Sequence, residues 1–191
     1  MTNINWSAIP AATEDQKRSA DLLIRLENGE ERRTGYDGGW VYFTDATHTS
    51  ENKQTVAADT TTLLTIDKAG AGSTTDFRRG VPLDIFASNT LQPQATGETF
   101  DINLTFRLQK STSQSGYVEV DVGIGADYSN LAFQDRRTLI KSSGDTEFVF
   151  FNGTIFVTPA FGAHGCRFFL RCSEEVTLWD KAIFIQRTHS P

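Results

Sequence analysis

The sequence predicts a mainly β protein, an antiparallel β-sandwich of jelly-roll type behind a short N-terminal helix or extended anchor segment. Three observations predict it. Residues 99–109 and 117–125 alternate apolar and polar side chains with a period of two. About ten such runs follow at regular spacing, with turn residues between them and no helical pattern after residue 30. The apolar set is aromatic and β-branched, with 14 Phe and a single Met, the composition that pleated, half-buried surfaces favour.

The chain has 191 residues, enough for one good hydrophobic core. Two parts are expected, an anchoring segment over 1–35 and the sandwich over 36–191. In TEDQKRSADLLIRLEN (13–28), Thr13 and Gln16 form a capping-box pattern. Glu14 and Asp15 sit in the first turn, and Gly29 follows as a stop. Leu22, Leu23 and Leu26 make a thin apolar stripe that, with Trp6, would anchor the segment. A hairpin around Asn28-Gly29 competes with the helix.

From Gly35 the period changes to two. WVYFTD (40–45) is a strand, and QTVAA (54–58) and TLLTI (62–66) are shorter ones. AGAGSTTD (69–76) reads as a loop. VPLDIFAS (81–88) is a strand whose Pro82 suits an edge. In TFDINLTFRLQ (99–109), Phe100, Ile102, Leu104, Phe106 and Leu108 line one face, the pattern of a half-buried antiparallel strand. YVEVDVGIG (117–125) turns Val118, Val120, Val122 and Ile124 inward, and KSTSQSG between the two predicts a long hairpin. RTLIKS (136–141) follows. EFVFF and TIFVT flank Asn152-Gly153, a type I′ hairpin signal. CRFFLRCS (166–173) and EVTLWDKAIFIQR (175–187) close the sheet pattern.

These late strands are apolar on both faces. Phe148 and Phe150 oppose Val149 and Phe151, and Phe156 opposes Ile155 and Val157. Phe169 sits outward between Arg167 and Arg171, and Trp179, Ile183 and Ile185 oppose Val176, Leu178 and Phe184. A monomeric sandwich leaves one face of each sheet in water, so such strands need a second cover. Loops of the same chain could supply it; the alternative is a neighbouring subunit, because large apolar patches with Arg beside aromatics mark interfaces.

Composition excludes several function classes. The formal net charge is -6, with 18 Lys and Arg against 24 Asp and Glu, so no general attraction to nucleic acid is expected. The pairs Arg32-Arg33, Arg78-Arg79 and Arg136-Arg137 are too short to change that. No apolar run reaches the ~18 residues of a membrane span. The N-terminus lacks a charged region followed by an apolar one, so synthesis and folding in a cytoplasm without a signal peptide are expected. Cys166 and Cys172 would lie about 20 Å apart along one strand face, too far for a disulfide. Both are expected as buried thiols.

No catalytic constellation emerges, so a non-enzymatic protein without cofactor or metal is expected. His48, His164 and His189 show no metal-ligand spacing. His164 lies two residues from Cys166, but Cys166 should face the core. Gly70 and Gly72 lack the strand–loop–helix context of a phosphate cradle. Asp121, Asp127 and Asn130 do not match a calcium loop. No carboxylate pair stands out for glycoside hydrolysis. Asn103 and Asn152 match glycosylation sequons that mean little without a signal peptide. Trp6, Tyr36, Trp40, Tyr42 and Tyr128 lie in or beside expected loops. They would plug the sandwich ends, or Trp40, Tyr42 and Tyr128 would face a sugar.

SNTLQPQATGETFDINLTFRLQ, followed by the valine-alternating strand and the Phe-rich segment, resembles the trimeric jelly-roll modules of bacteriophage virion proteins, with a tumour-necrosis-factor or C1q-like fold. The resemblance covers roughly 36–188. It implies a homotrimer with Phe150, Phe156, Phe169, Arg171 and Trp179 at the oligomer interface. It also implies an N-terminal segment docked on other virion proteins. The expected function is a capsid decoration, head fibre or tail fibre assembled in the host cytoplasm. The alternative is a carbohydrate-binding module that recognises a host surface glycan.

Overall fold

The computed structural model describes residues 39–77, 85–112, 115–125, 128 and 130–189. The 1–35 segment, its helix-or-hairpin alternatives and Trp6, Leu22, Leu23 and Leu26 lie outside the described residues, as do Tyr36 and the start of the strand expected at 81–88.

Twelve strands and one short helix are described. They are β1 (Gly39–Thr44), β2 (Gln54–Val56), β3 (Thr62–Leu63), β4 (Thr74–Phe77), β5 (Phe86–Ala87), β6 (Thr90–Leu91), β7 (Thr99–Lys110), β8 (Gly116–Ile124), β9 (Leu131–Leu139), β10 (Thr146–Phe156), α1 (Pro159–His164), β11 (Cys166–Cys172) and β12 (Val176–His189). The first sheet runs β10-β7-β12-β1-β4, with β2 also on β12; the second runs β5-β6-β11-β8-β9, with β3 also on β11. Every pairing is antiparallel. The chain is a jelly-roll β-sandwich.

The period-two pattern explains the core. Phe100, Ile102, Leu104, Phe106 and Leu108 of β7 are buried, as are Val118, Val120 and Val122 of β8 and Cys166, Phe168, Leu170 and Cys172 of β11. Phe106 and Phe151 stack at 6.0 Å between centroids, and Phe86 packs on both Phe43 and Phe168. Truncating one of these rings to alanine costs about 3–5 kcal/mol. The two cysteines are free and buried. Burial pushes both thiols up, Cys172 to about 12, far from the thiolate a nucleophile needs.

The structure corrects the sequence reading at several elements. β7 and β8 do not pair as a hairpin: β7 pairs β10 and β12 in one sheet, and β8 pairs β9 and β11 in the other. Their apolar rows join one core. The expected hairpin at Asn152-Gly153 is the middle of one 11-residue strand, β10. The Phe133 ring explains the glycine, because a Cβ at Gly153 would lie 2.9 Å from its Cζ. Gly153 serves close packing there, and the strand runs on.

Residues 74–77, read as loop or left unassigned, form β4 on β1. A helix does occur after residue 30. α1 starts at Thr158, whose hydroxyl caps the Phe161 amide, has Pro159 in its first turn and ends at Gly165 with φ of 68°. In β12 a bulge between Trp179 and Ala182 shifts the alternation, with Asp180 at φ of 50°. Leu178, Ile183 and Ile185 therefore all face the core, while Trp179 and Phe184 share the outer face.

Candidate assembly surface

The two outer faces of the sandwich differ in chemistry. On the second sheet the outer row of β8 holds Glu119 and Asp121, both buried. Arg136 covers Glu119 through Nε at 2.6 Å and Nη2 at 2.5 Å, and its guanidinium lies 4.1 Å from the Tyr117 ring centroid. The Tyr128 hydroxyl donates to Asp121, and its ring meets Phe169 edge-on at 5.5 Å. That hydrogen bond, and then burial, raise the Tyr128 hydroxyl above the ordinary tyrosine range. This face is closed by its own side chains.

The first sheet's outer face is aromatic and open. β10 projects Phe148, Phe150 and Phe156 outward, at 63%, 45% and 60% exposure. They share a face because β10 continues through Gly153. Opposite them, β7 contributes Arg107, Thr105 and Thr99. Across that row stand Phe184 of β12 and Trp40 and Tyr42 of β1, all half-buried, with Trp40 and Phe184 rings 5.8 Å apart. Two separate aromatic patches thus flank a polar strip.

The exposed large hydrophobics among the described residues are Leu131, Ile140, Phe148, Phe150 and Phe156, all on β9, β10 or the turn between them. Among the described strands, β9 and β10 stand at the edges of their respective sheets. Long edge strands usually carry charge, proline or a bulge that blocks further pairing. β10 has 11 residues, and its outward apolar positions are phenylalanines. A small apolar cavity of about 20 Å³ lies beside this edge, lined by Phe133, Phe151, Gly153 and Ile155 among others.

The interface candidates fare differently. Phe150 and Phe156 are exposed, and Phe148 and Ile140 join them as residues the sequence reading had not selected. Phe169 is buried under Tyr128. Trp179 is buried, with the Lys53 ammonium 4.2 Å above its ring. Neither ring is available to a partner: Phe169 points outward as expected, Trp179 does not share a face with Ile183 and Ile185 as expected, and the cover of both comes from the same chain. Arg171 is partly exposed, with Nη2 3.7 Å from Asp59. Trp40 and Tyr42 lie on β1 and not in loops, and Tyr128 acts as a cap on Phe169 and Asp121.

β12 carries two buried cations, Lys181 at its bulge and Arg187 near its end. Arg187 Nη1 meets Glu98 Oε1 at 2.8 Å, and Lys181 Nζ meets Asp45 Oδ2 at 2.8 Å. Nearby Asp67 receives the Thr47 hydroxyl and the amides of Ala46, Thr47 and Ala69 at 2.7–2.9 Å. Burial alone would raise its carboxyl, but these four bonds outweigh it and hold the group well below the usual carboxylate range. No group of three or more metal-ligating side chains occurs among the described residues.

No family model and no curated protein matches the chain. Among solved structures, it is similar to the structure of Eiger TNF from S. frugiperda. The identity is 9% and the TM-score 0.48, over 80% of this chain and 93% of that one.

Proposed function

We propose that the chain is a homotrimeric structural module of a bacteriophage virion, a decoration or fibre component, without catalytic activity. The observation that carries the assembly half is the Phe148–Phe150–Phe156 stripe on β10, at the edge of the described sheet. Exposed apolar side chains of this size, interrupted only by Asn152 and Thr154, mark an interface. The stripe and the Trp40–Tyr42–Phe184 patch are different surfaces on the same subunit. A contact between them is head-to-tail, and such contacts close into rings when the rotation allows. The virion half rests on the resemblance in the sequence, with the 1–35 segment as the part that docks on the particle.

The test is a particle-binding assay with the full chain and a chain lacking residues 1–35. The full chain is expected to form trimers and join particles. The shortened chain is expected to keep the trimer mass and stay in solution. Equal particle binding by both would remove the anchoring role. Monomeric behaviour of both would remove the assembly role.

The half-exposed Trp40 and Tyr42 favour a second reading, a flat aromatic platform for a sugar ring. Saturable glycan binding lost in Trp40→Ala, with oligomer mass unchanged, would select it over assembly through that patch.

A further inference from the structure

Lys181 and Asp45 form the most enclosed polar contact in the first sheet. Asp45 directly follows β1, and Lys181 sits in the bulge of β12. The Asp45 amide donates to the Lys181 carbonyl at 3.0 Å, so the backbones fix the two side chains against each other. Nζ lies 2.8 Å from Oδ2, and both side chains are sealed from solvent. Gln54 Oε1 accepts from Nζ at 2.9 Å and fixes its direction. His48 Nδ1 lies 3.0 Å from Nζ and 2.8 Å from Oδ2. The other carboxylate oxygen, Oδ1, receives the backbone amides of Thr47 at 3.3 Å and Asp67 at 3.4 Å.

We infer that this cluster closes an intramolecular isopeptide bond between Lys181 and Asp45, tying the first described strand of the sandwich to its last. Each contact has a role in that reaction. The amine and the carboxyl are held at reacting distance, which removes the entropy cost of bringing them together. The two amides at Oδ1 stand where negative charge develops when the carboxyl carbon becomes tetrahedral. His48 touches both the attacking nitrogen and the departing oxygen, the placement a proton carrier needs. Burial, against the hydrogen bond and charge of Asp45 and the charge of Asp67, holds the Lys181 amine below the ordinary lysine range. The neutral amine is the nucleophile.

The step is a condensation. A proton passes from the ammonium to the carboxylate, giving a neutral amine and a neutral acid. The Nζ lone pair attacks Cγ, and the Nζ–Cγ bond forms as charge gathers on Oδ1. His48 takes a proton from Nζ and returns it to Oδ2. The Cγ–Oδ2 bond breaks, Oδ2 leaves as water, and an amide remains. Nothing is oxidised or reduced, and no co-reactant is consumed. The His48 side chain is partly exposed and opens the way out for the water.

The experiment is intact-mass analysis of the purified, denatured full chain, followed by tryptic digestion. The expected mass is one water, about 18 Da, below the sequence mass. The digest should hold a branched peptide joining residues 34–53 to 172–187. A mass equal to the sequence, with 34–53, 172–181 and 182–187 recovered as separate linear peptides, overturns the proposal. Lys181→Arg keeps a buried cation and should restore the full mass. Should that variant not fold, the wild-type digest still decides. His48→Gln should slow the mass loss in freshly made protein by more than about tenfold; an unchanged rate removes His48 from the reaction. The proposal does not depend on assembly, and a trimer without the cross-link, or a cross-linked monomer, separates the two.

Discussion

Adding one methyl group at Gly153 tests whether β10 is continuous. The new Cβ would sit 2.9, 3.1 and 3.3 Å from three atoms of the Phe133 ring. Carbon contacts are comfortable from about 3.5 Å, so the ring must retreat by about half an ångström or more. Overpacking of this size costs about 1–3 kcal/mol. Replacing a strand glycine returns about 0.5–1 kcal/mol of chain entropy. Gly153→Ala should therefore destabilise the protein by about 1–2 kcal/mol, read as a lower urea midpoint at unchanged slope. Phe133→Leu removes the atoms in the way, so the same Gly153→Ala change made in that background should cost at least about 1 kcal/mol less. If the two changes simply add, the ring is not what Gly153 accommodates, and the tight-turn explanation of Asn152-Gly153 returns.

Three further outcomes are expected. Phe148→Ser should weaken self-association with little effect on urea stability. The ring exposes 63% of its surface, so its full burial is worth at most about 3 kcal/mol; unchanged dissociation on dilution would argue against the stripe. Trp179→Ala should do the opposite, costing about 3–5 kcal/mol of fold stability while leaving the association constant alone, because the ring is already covered by Lys53. The Asp67 carboxyl is held below its unfolded value of about 3.9, so its contribution to stability is full above about pH 4 and is lost as pH falls through the lower folded value. Asp67→Asn should therefore be less stable than wild type near pH 7, with the gap closing under acid. Parallel stability curves from neutral to acid would count against the role of those four hydrogen bonds.

The strands with clean alternation were legible in the sequence. Phe100 to Leu108, Val118 to Val122 and the inward row from Cys166 to Cys172 read correctly because a period of two fixes which side chains face a core. Partner strands did not follow from that pattern. β7 and β8 are adjacent in sequence and patterned alike, yet they lie in different sheets. Alternation says which way a side chain points and says nothing of which edge it pairs. Gly153 misled for a related reason, since the glycine of a turn and the glycine under a ring are identical in one dimension. The bulge at Asp180 rests on a single residue with positive φ and leaves little trace in the pattern. The signal for α1 was present in Thr158, Pro159 and Gly165, but six residues are too short for helical periodicity to show. At the candidate surface, outward direction was readable and cover was not. Phe150 and Phe169 both point outward, but Phe150 stands on a strand at the edge of the described sheet, while Phe169 lies between β3 and β8 with Tyr128 edge-on to its ring. The Lys181–Asp45–His48 cluster joins residues 133 positions or more apart, beyond the reach of local reasoning.

The central claim is that the open aromatic face of the first sheet holds copies of this chain together. Sedimentation of the full chain at micromolar concentration tests it most directly. The account predicts a trimer that falls to a folded monomer when Phe148, Phe150 and Phe156 are all replaced by serine. A wild-type chain that sediments as a monomer across that range would contradict it.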